Sequence, residues 1–199
     1  MHQSSLNKMS LFIDKHLSDS KDKKIKILDI GSNDINGSYR YLFSKHNWEY
    51  FGADITPGEN VDIVLHDHYN WKNIRSNSYD VVISGQAFEH IEFFWVTILE
   101  IARVLKNGGI CCIIAPSAGV EHRYPVDCWR FYPDGFKTLA KYANLEAVEI
   151  YTEFEPGKYS DASELWKDSV LIARKHPYMV KRKYLYFFKN FFAKLLLKF

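Results

Sequence analysis

The densest run of reactive side chains lies between Glu121 and Tyr132, where His122, Arg123, Tyr124, Asp127, Cys128, Trp129, Arg130 and Phe131 fall within twelve residues. A histidine with a carboxylate nearby can act as a general base with an orienting partner. Arginine forks match phosphate or carboxylate oxygens, and aromatic faces suit a sugar-like ring. We therefore take His122 as the candidate base and Asp127 as its partner or alternative. Arg123, Tyr124, Trp129 and Arg130 are the candidate contacts to a polar ligand. His90, directly after Glu89, is a further candidate base. The competing reading packs Trp129, Phe131 and Tyr132 as a lid and pairs Asp127 internally with Arg123 or Arg130.

A second constellation begins with the apolar run Lys26 to Ile30, which stops at Asp29-x-Gly31 and continues into Ser32 and Asn33. Glycine lets backbone N–H groups approach a ligand because no Cβ stands in the way. A further run, Tyr50 to Asp54, ends on an acid, which can accept hydrogen bonds from both ribose hydroxyls. Asn33 and Asn36 occupy the positions that would complete Gly-x-Gly-x-x-Gly, so a pyrophosphate-bearing cofactor is disfavoured. The two runs together predict a nucleoside cofactor at the carboxyl edge of a parallel sheet.

The elements that would hold these residues are legible as alternation. Short apolar runs at 25–30, 49–53, 61–65, 79–84 and 109–115 are separated by turns or helical patterns, which predicts crossover connections in a parallel sheet with helices on both faces. Residues 145–154 and 168–174 read as two final strands, joined by a loop holding Pro156, Gly157 and Asp161. A covering helix is expected over 4–18 with Ser4 or Ser5 as cap, within an N-terminal segment 1–22. Another is expected from Ile91 to Lys106, stopped by Asn107-Gly108-Gly109, and a third from Pro133 to Ala143-Asn144.

The 199 residues are 47% hydrophobic and 25% charged, which suits one globular domain over 1–176. The net charge of +2 conceals an asymmetry. Residues 177–199 carry Lys181, Arg182, Lys183, Lys189, Lys194 and Lys198 and no acid, so the body is net acidic. That argues against a broad nucleic-acid footprint. The tail predicts a basic amphipathic helix with Tyr184, Leu185, Phe188, Phe191, Phe192, Leu195, Leu196 and Phe199 in one sector. Such a helix suits peripheral contact with anionic lipid through 180–199, or packing on its own domain or on a second copy in a homodimer. Cys111, Cys112 and Cys128 give no readable disulfide framework, and no apolar stretch is long enough to span a bilayer. A cytoplasmic protein, in contact with the inner membrane face or not, is the expectation. His66-Asp67-His68 lacks the further acids of a matched metal site, so no metal is expected.

Four blocks in order resemble the class I S-adenosylmethionine-dependent methyltransferases: Ile27 to Ser32, Gly52 to Ile55, Tyr79 to His90, and Arg103 to Gly109. The resemblance spans residues 25 to about 175. It implies a single-domain, doubly wound Rossmann-like α/β fold with a seven-stranded sheet in the order 3-2-1-4-5-7-6, the last strand antiparallel. It implies S-adenosylmethionine as cofactor, with Asp29, Gly31, Ser32 and Asn33 on the first loop and Asp54 and Ile55 at the ribose. Asp67 would sit near the adenine, with Tyr69 or Trp71 as ring neighbours, and Gln86 would line the pocket. Asp67 also suits a local turn cap. The segment His122 to Phe131 resembles bacterial methyltransferases of surface-glycan biosynthesis, which implies a sugar hydroxyl or glycan-linked phosphoryl acceptor. The alternatives are a membrane-tethered cofactor-binding module without turnover and a nucleotide-dependent oxidoreductase.

Overall fold

The computed structural model describes residues 2–35, 37–154, 157–176 and 180–198, and of residues 180–187 and 198 the backbone alone. Asn36, Pro156, Phe199 and the side chains of Lys181, Arg182, Lys183, Tyr184, Leu185 and Lys198 therefore lie outside the described residues.

Seven strands form one sheet: β1 Lys26–Ile30, β2 Glu49–Asp54, β3 Ile63–Val64, β4 Tyr79–Gly85, β5 Leu105–Ala115, β6 Glu146–Thr152 and β7 Ser169–Arg174. Their order is β3-β2-β1-β4-β5-β7-β6, as expected. β1 runs parallel to both β2 and β4, whereas β7 is antiparallel to β5 and β6. The chain winds outward from β1 to β3, then returns to place β4 on the other side of β1. That reversal opens a crevice at the carboxyl ends of β1 and β4.

The central strands are apolar on both sides because both sheet faces are covered. Leu28 and Val82 join Ile98, Ile101, Phe136 and Leu171 in one core. Ile27, Val81 and Ile83 meet Met9, Phe12 and Ile13 in the other. The first core is built on α3 Phe94–Val104 and α4 Pro133–Tyr142, the second on α1 Gln3–His16, with the short α2 Arg40–Phe43 beside it. Cys111 and Cys112 are buried in β5 and unpaired. Burial pushes the Cys111 thiol up to about 12, which leaves it inert.

Four boundaries differ from expectation for physical reasons. Ser4 and Ser5 lie inside α1 rather than capping it. Its first amides are taken instead by a distant loop, Gln3 N–H by Asp161 Oδ2 and Ser4 N–H by Ser163 Oγ. The helix ends at His16, and a 3₁₀ turn, Ser18–Ser20, follows it. α3 begins at Phe94, since Ile91 is extended, and it stops at Val104, before Asn107-Gly108-Gly109. Leu105 already pairs with Tyr79, and Asn77 and Ser78 amides take the last helical carbonyls, so those glycines belong to β5. α4 does begin at Pro133 and ends as predicted, with Asn144 at φ 60° and Leu145 N–H bonding back to Ala140 O.

The tail helix, α5 Val180–Leu195, is followed by a 3₁₀ turn at Leu196–Lys198. Lys194 reaches the buried Glu100 carboxylate of α3 at 2.7 Å, and Asn190 reaches it at 3.3 Å. Lys189 donates to Tyr142 O. Phe191, Phe192 and Leu195 face outward, each 44–55% exposed.

Candidate functional site

The first loop leaves β1 through Gly31, whose φ of 77° is the left-handed conformation. A Cβ there would also collide with the Ala87 methyl. Both facts require glycine. Asp29 is buried just before it and accepts from the Tyr50 hydroxyl; burial pushes its carboxyl up to about 7. Asp54 ends β2 beside this loop. Its carboxylate accepts from Asn33 N–H at 3.2 Å and from Thr56 N–H and Oγ1 at 3.0 Å. Asn33 thus closes the loop onto the acid through its backbone, and its side chain bonds Thr56. Ser32 is pinned to Asn60, and Ile55 is left 39% exposed at the rim.

Asp67 lies on the exposed turn after β3, where Oδ1 takes Tyr69 N–H in the local cap that its type also predicted. Trp71 is buried in the core, so it is unavailable as a ring neighbour, while Tyr69 is half-buried. Gln86 sits at φ 57° directly after β4 and donates to Asp168 Oδ1 at 3.0 Å. A polar groove of about 650 Å³ opens on Asp34, Arg40, Glu59, Asn60 and Asp62. It shares no residue with the Asp29, Gly31, Asp54 and Gln86 set, so we give it no part in the chemistry.

Two segments meet at the carboxyl edge of β4 and β5. Phe88–His90 makes one 3₁₀ turn, and its Glu89 carbonyl accepts from Cys128 and Trp129 amides, which lays the 121–131 segment across it. His90 Nδ1 lies 2.6 Å from Val126 O, so Nδ1 carries the proton and Nε2 has a free lone pair. Burial lowers the His90 pKa, with neighbouring His122 adding to the effect. The His122 ring stands edge-on to His90 with centroids 4.9 Å apart and lies 4.5 Å from the Trp166 ring.

Asp127 binds both ends of this arrangement. Its Oδ2 accepts His122 N–H at 2.8 Å and lies 3.3 Å from His122 Nδ1, without hydrogen-bond alignment at the latter. Arg130 grips the same carboxylate with two nitrogens, at 2.6 and 2.8 Å, and holds it well below the usual carboxylate range. His122 and Asp127 are thus brought together, joined by a backbone hydrogen bond and not by one from the imidazole. The internal Asp127–Arg130 pair of the competing reading is present, and Arg130's fork is committed to it. Arg123 pairs with Glu121 on the surface, while Tyr124 and Trp129 stay 55% and 37% exposed.

Sequence reasoning missed two buried acids here. Glu89 is fully buried, and beyond the pull of its own backbone N–H neither carboxylate oxygen finds a hydrogen bond. Burial pushes it up to about 8. Asp168, before β7, gathers His2, Ser4 and Gln86, fastening α1 over the edge. Burial alone would raise its pKa, but His2, Ser4 and Lys8 hold it low. A lone acid between Lys167 and Ser169 carries no local signal of such partners.

Residues 28–113 match the family described as a methyltransferase domain. No curated protein matches the chain in sequence. A SAM-dependent methyltransferase from Archaeoglobus fulgidus is similar in structure with a TM-score of 0.62 at 15% identity, over 86% of this chain and 95% of that one. Haemonchus contortus phosphoethanolamine N-methyltransferase 2, in complex with S-adenosyl-L-methionine, gives 0.64 at 17% identity over 85% of this chain and 52% of that one. This chain thus spans about half the length of the Haemonchus protein. Burkholderia thailandensis 1,6-didemethyltoxoflavin-N1-methyltransferase, with bound 1,6-didemethyltoxoflavin and S-adenosylhomocysteine, gives 0.65 at 13% identity over 87% and 79%. Identities this low establish a shared fold.

Proposed function

From a chain that carries a methyltransferase domain and uses S-adenosylmethionine, we propose O-methylation of a sugar hydroxyl or glycan-linked phosphoryl group in surface-polysaccharide synthesis. The oxidoreductase reading gives way to that domain. The residues present suit the cofactor: a glycine that tolerates no Cβ, an acid at the end of β2, and exposed Ile55 as an apolar rim. Asp29, Gly31, Ser32, Asn33, Asp54, Ile55, Asp67 and Gln86 are assigned to hold it.

The cofactor supplies an electrophilic methyl group on a sulfonium. With the cofactor bound, that methyl would pass to the acceptor oxygen as the S–C bond broke, leaving S-adenosylhomocysteine and a hydroxyl proton to be taken up. His122 takes that proton, with Asp127 balancing the imidazolium. Arg123, Tyr124 and Trp129 surround the acceptor as a charged and aromatic rim, while Arg130 fixes Asp127. The observation that carries this reading is the His122–Asp127 pair beside His90 at the carboxyl edge of β4 and β5. We place the chain on the inner face of a membrane through α5, a contact weighed below.

The test is transfer of labelled methyl from S-adenosylmethionine to a panel of sugar, glycan and phosphoryl acceptors. His122→Ala and His122→Gln are expected to lower single-turnover rates about 10²- to 10⁴-fold on a hydroxyl acceptor, with cofactor affinity kept. Near wild-type rates in both would remove His122 from catalysis. Tight cofactor binding with no product on any acceptor would instead favour the binding module.

A further inference from the structure

Glu89, His90 and His122 place one ligand atom each within 4.8 Å of one another, and among the described residues they are the group so arranged. Two features of this group go unexplained by a simple base. Both Glu89 oxygens are buried without a hydrogen-bond partner, an arrangement that is costly unless something compensates it. His90 Nε2, the ring nitrogen left without the proton, lies 3.7 Å from Glu89 Oε1. A single general base needs neither a second neutral imidazole nor an orphaned acid at its side.

We propose that Glu89, His90 and His122 form a binding site for one divalent transition-metal cation. Two imidazoles and one carboxylate make a donor set of intermediate softness, which favours Zn²⁺, Mn²⁺ or Co²⁺ over Mg²⁺ or Ca²⁺. The outer partners of such a site are already in place. Val126 O fixes the His90 tautomer through Nδ1, the carbonyl support that metal-bound histidines usually have, and Asp127 Oδ2 lies 3.3 Å from His122 Nδ1, close enough to take up that role on a small rotation of the ring. Three protein ligands leave at least one coordination position open. The ligands come from the two loops that follow β4 and β5, so that position opens where the acceptor would lie.

Because the acceptor's place is taken from the function proposed above, the inference rests on that reading for what the cation does, though not for whether it binds. With the cation present, His122 becomes a ligand rather than a base. The acceptor oxygen fills the open position and its hydroxyl is acidified by the charge, losing its proton to water.

The test is titration of chelator-treated, full-length protein with Co²⁺ and Zn²⁺, by visible absorption and calorimetry, without cofactor or acceptor. The expected result is one saturable site with the d–d bands of four- or five-coordinate Co²⁺. Glu89→Gln, His90→Ala and His122→Ala are each expected to weaken it by at least about 10-fold, the scale on which even outer partners act. His68→Ala, on the exposed turn after β3, should leave it unchanged. Binding of S-adenosylhomocysteine by each variant checks that it folds. Absence of saturable binding, or binding indifferent to all three substitutions, overturns the site. Methyl transfer to a hydroxyl acceptor by a protein that binds no Co²⁺ would sink this inference and leave the proposed function standing. A filled metal site with no acceptor methylated would do the reverse.

Discussion

Gly31→Ala tests the first loop at its tightest point. The substitution forces a side chain into a left-handed backbone at φ 77° and into the Ala87 methyl. The expected cost is at least about 1–3 kcal/mol in urea unfolding, together with weaker S-adenosylhomocysteine binding by calorimetry. Gly135→Ala is the counterpart, because its Cβ would meet open space inside α4, and it is expected to raise stability by about 0.5–1 kcal/mol. Equal effects of the two would refute the geometric argument. Asp54→Asn keeps shape but removes the charge, so we expect the cofactor Kd to rise about tenfold with little change in unfolding. The positions of Gly31 at the turn after β1, of Asp54 at the end of β2 and of His122 beside Asp127 were legible because residue type and local spacing fix them. Glu89 and Asp168 were not, since what distinguishes them is burial and partners up to 166 residues away in sequence.

α1 shows the same division at the level of an element. Its apolar period was readable, but its caps and polar face were not, because Asp161, Ser163 and Glu153 meet it only in the fold. Lys8, 2% exposed, bonds Glu153 at 2.8 Å. Burial alone would raise Glu153, yet Lys158, Lys8 and Tyr159 hold it down to about 2. A carboxyl depressed in the folded state stabilises above its unfolded value of 4.5 and loses that contribution as pH falls toward 2. Asp29 acts in the opposite sense at higher pH: raised to about 7, it makes the fold more stable as pH falls from 7 toward 3.8. Urea midpoints are therefore expected to drop below pH about 4.5, less steeply in Lys8→Met than in the wild type. An identical acid limb in both proteins would show that Lys8 does not hold Glu153 low.

For the whole molecule, composition announced a basic tail but not which side of it would face the body. An aromatic stripe ordinarily turns inward. Here α3 buries Glu100, and a buried carboxylate needs charged partners, so Arg103, Lys194 and Asn190 converge on it and turn the apolar side of α5 outward. The outer side then exposes Phe191, Phe192, Leu195 and Leu196, in a segment whose sequence carries six cations and no acid. No described helix is long and apolar enough to cross a membrane; the membrane contact proposed above would lay this outward face on the bilayer surface. Aromatic burial of about 1.5–3 kcal/mol per ring, plus about 1 kcal/mol per cation near an anionic surface, gives a measurable affinity. The full chain is expected to sediment with vesicles containing phosphatidylglycerol, to be released partly by 0.5 M salt, and to bind neutral vesicles far more weakly. Phe191→Ser with Phe192→Ser should lower binding at least about tenfold while leaving S-adenosylhomocysteine affinity unchanged. Failure to pellet, combined with self-association in the ultracentrifuge that the double variant abolishes, would assign the stripe to a second copy of the chain instead.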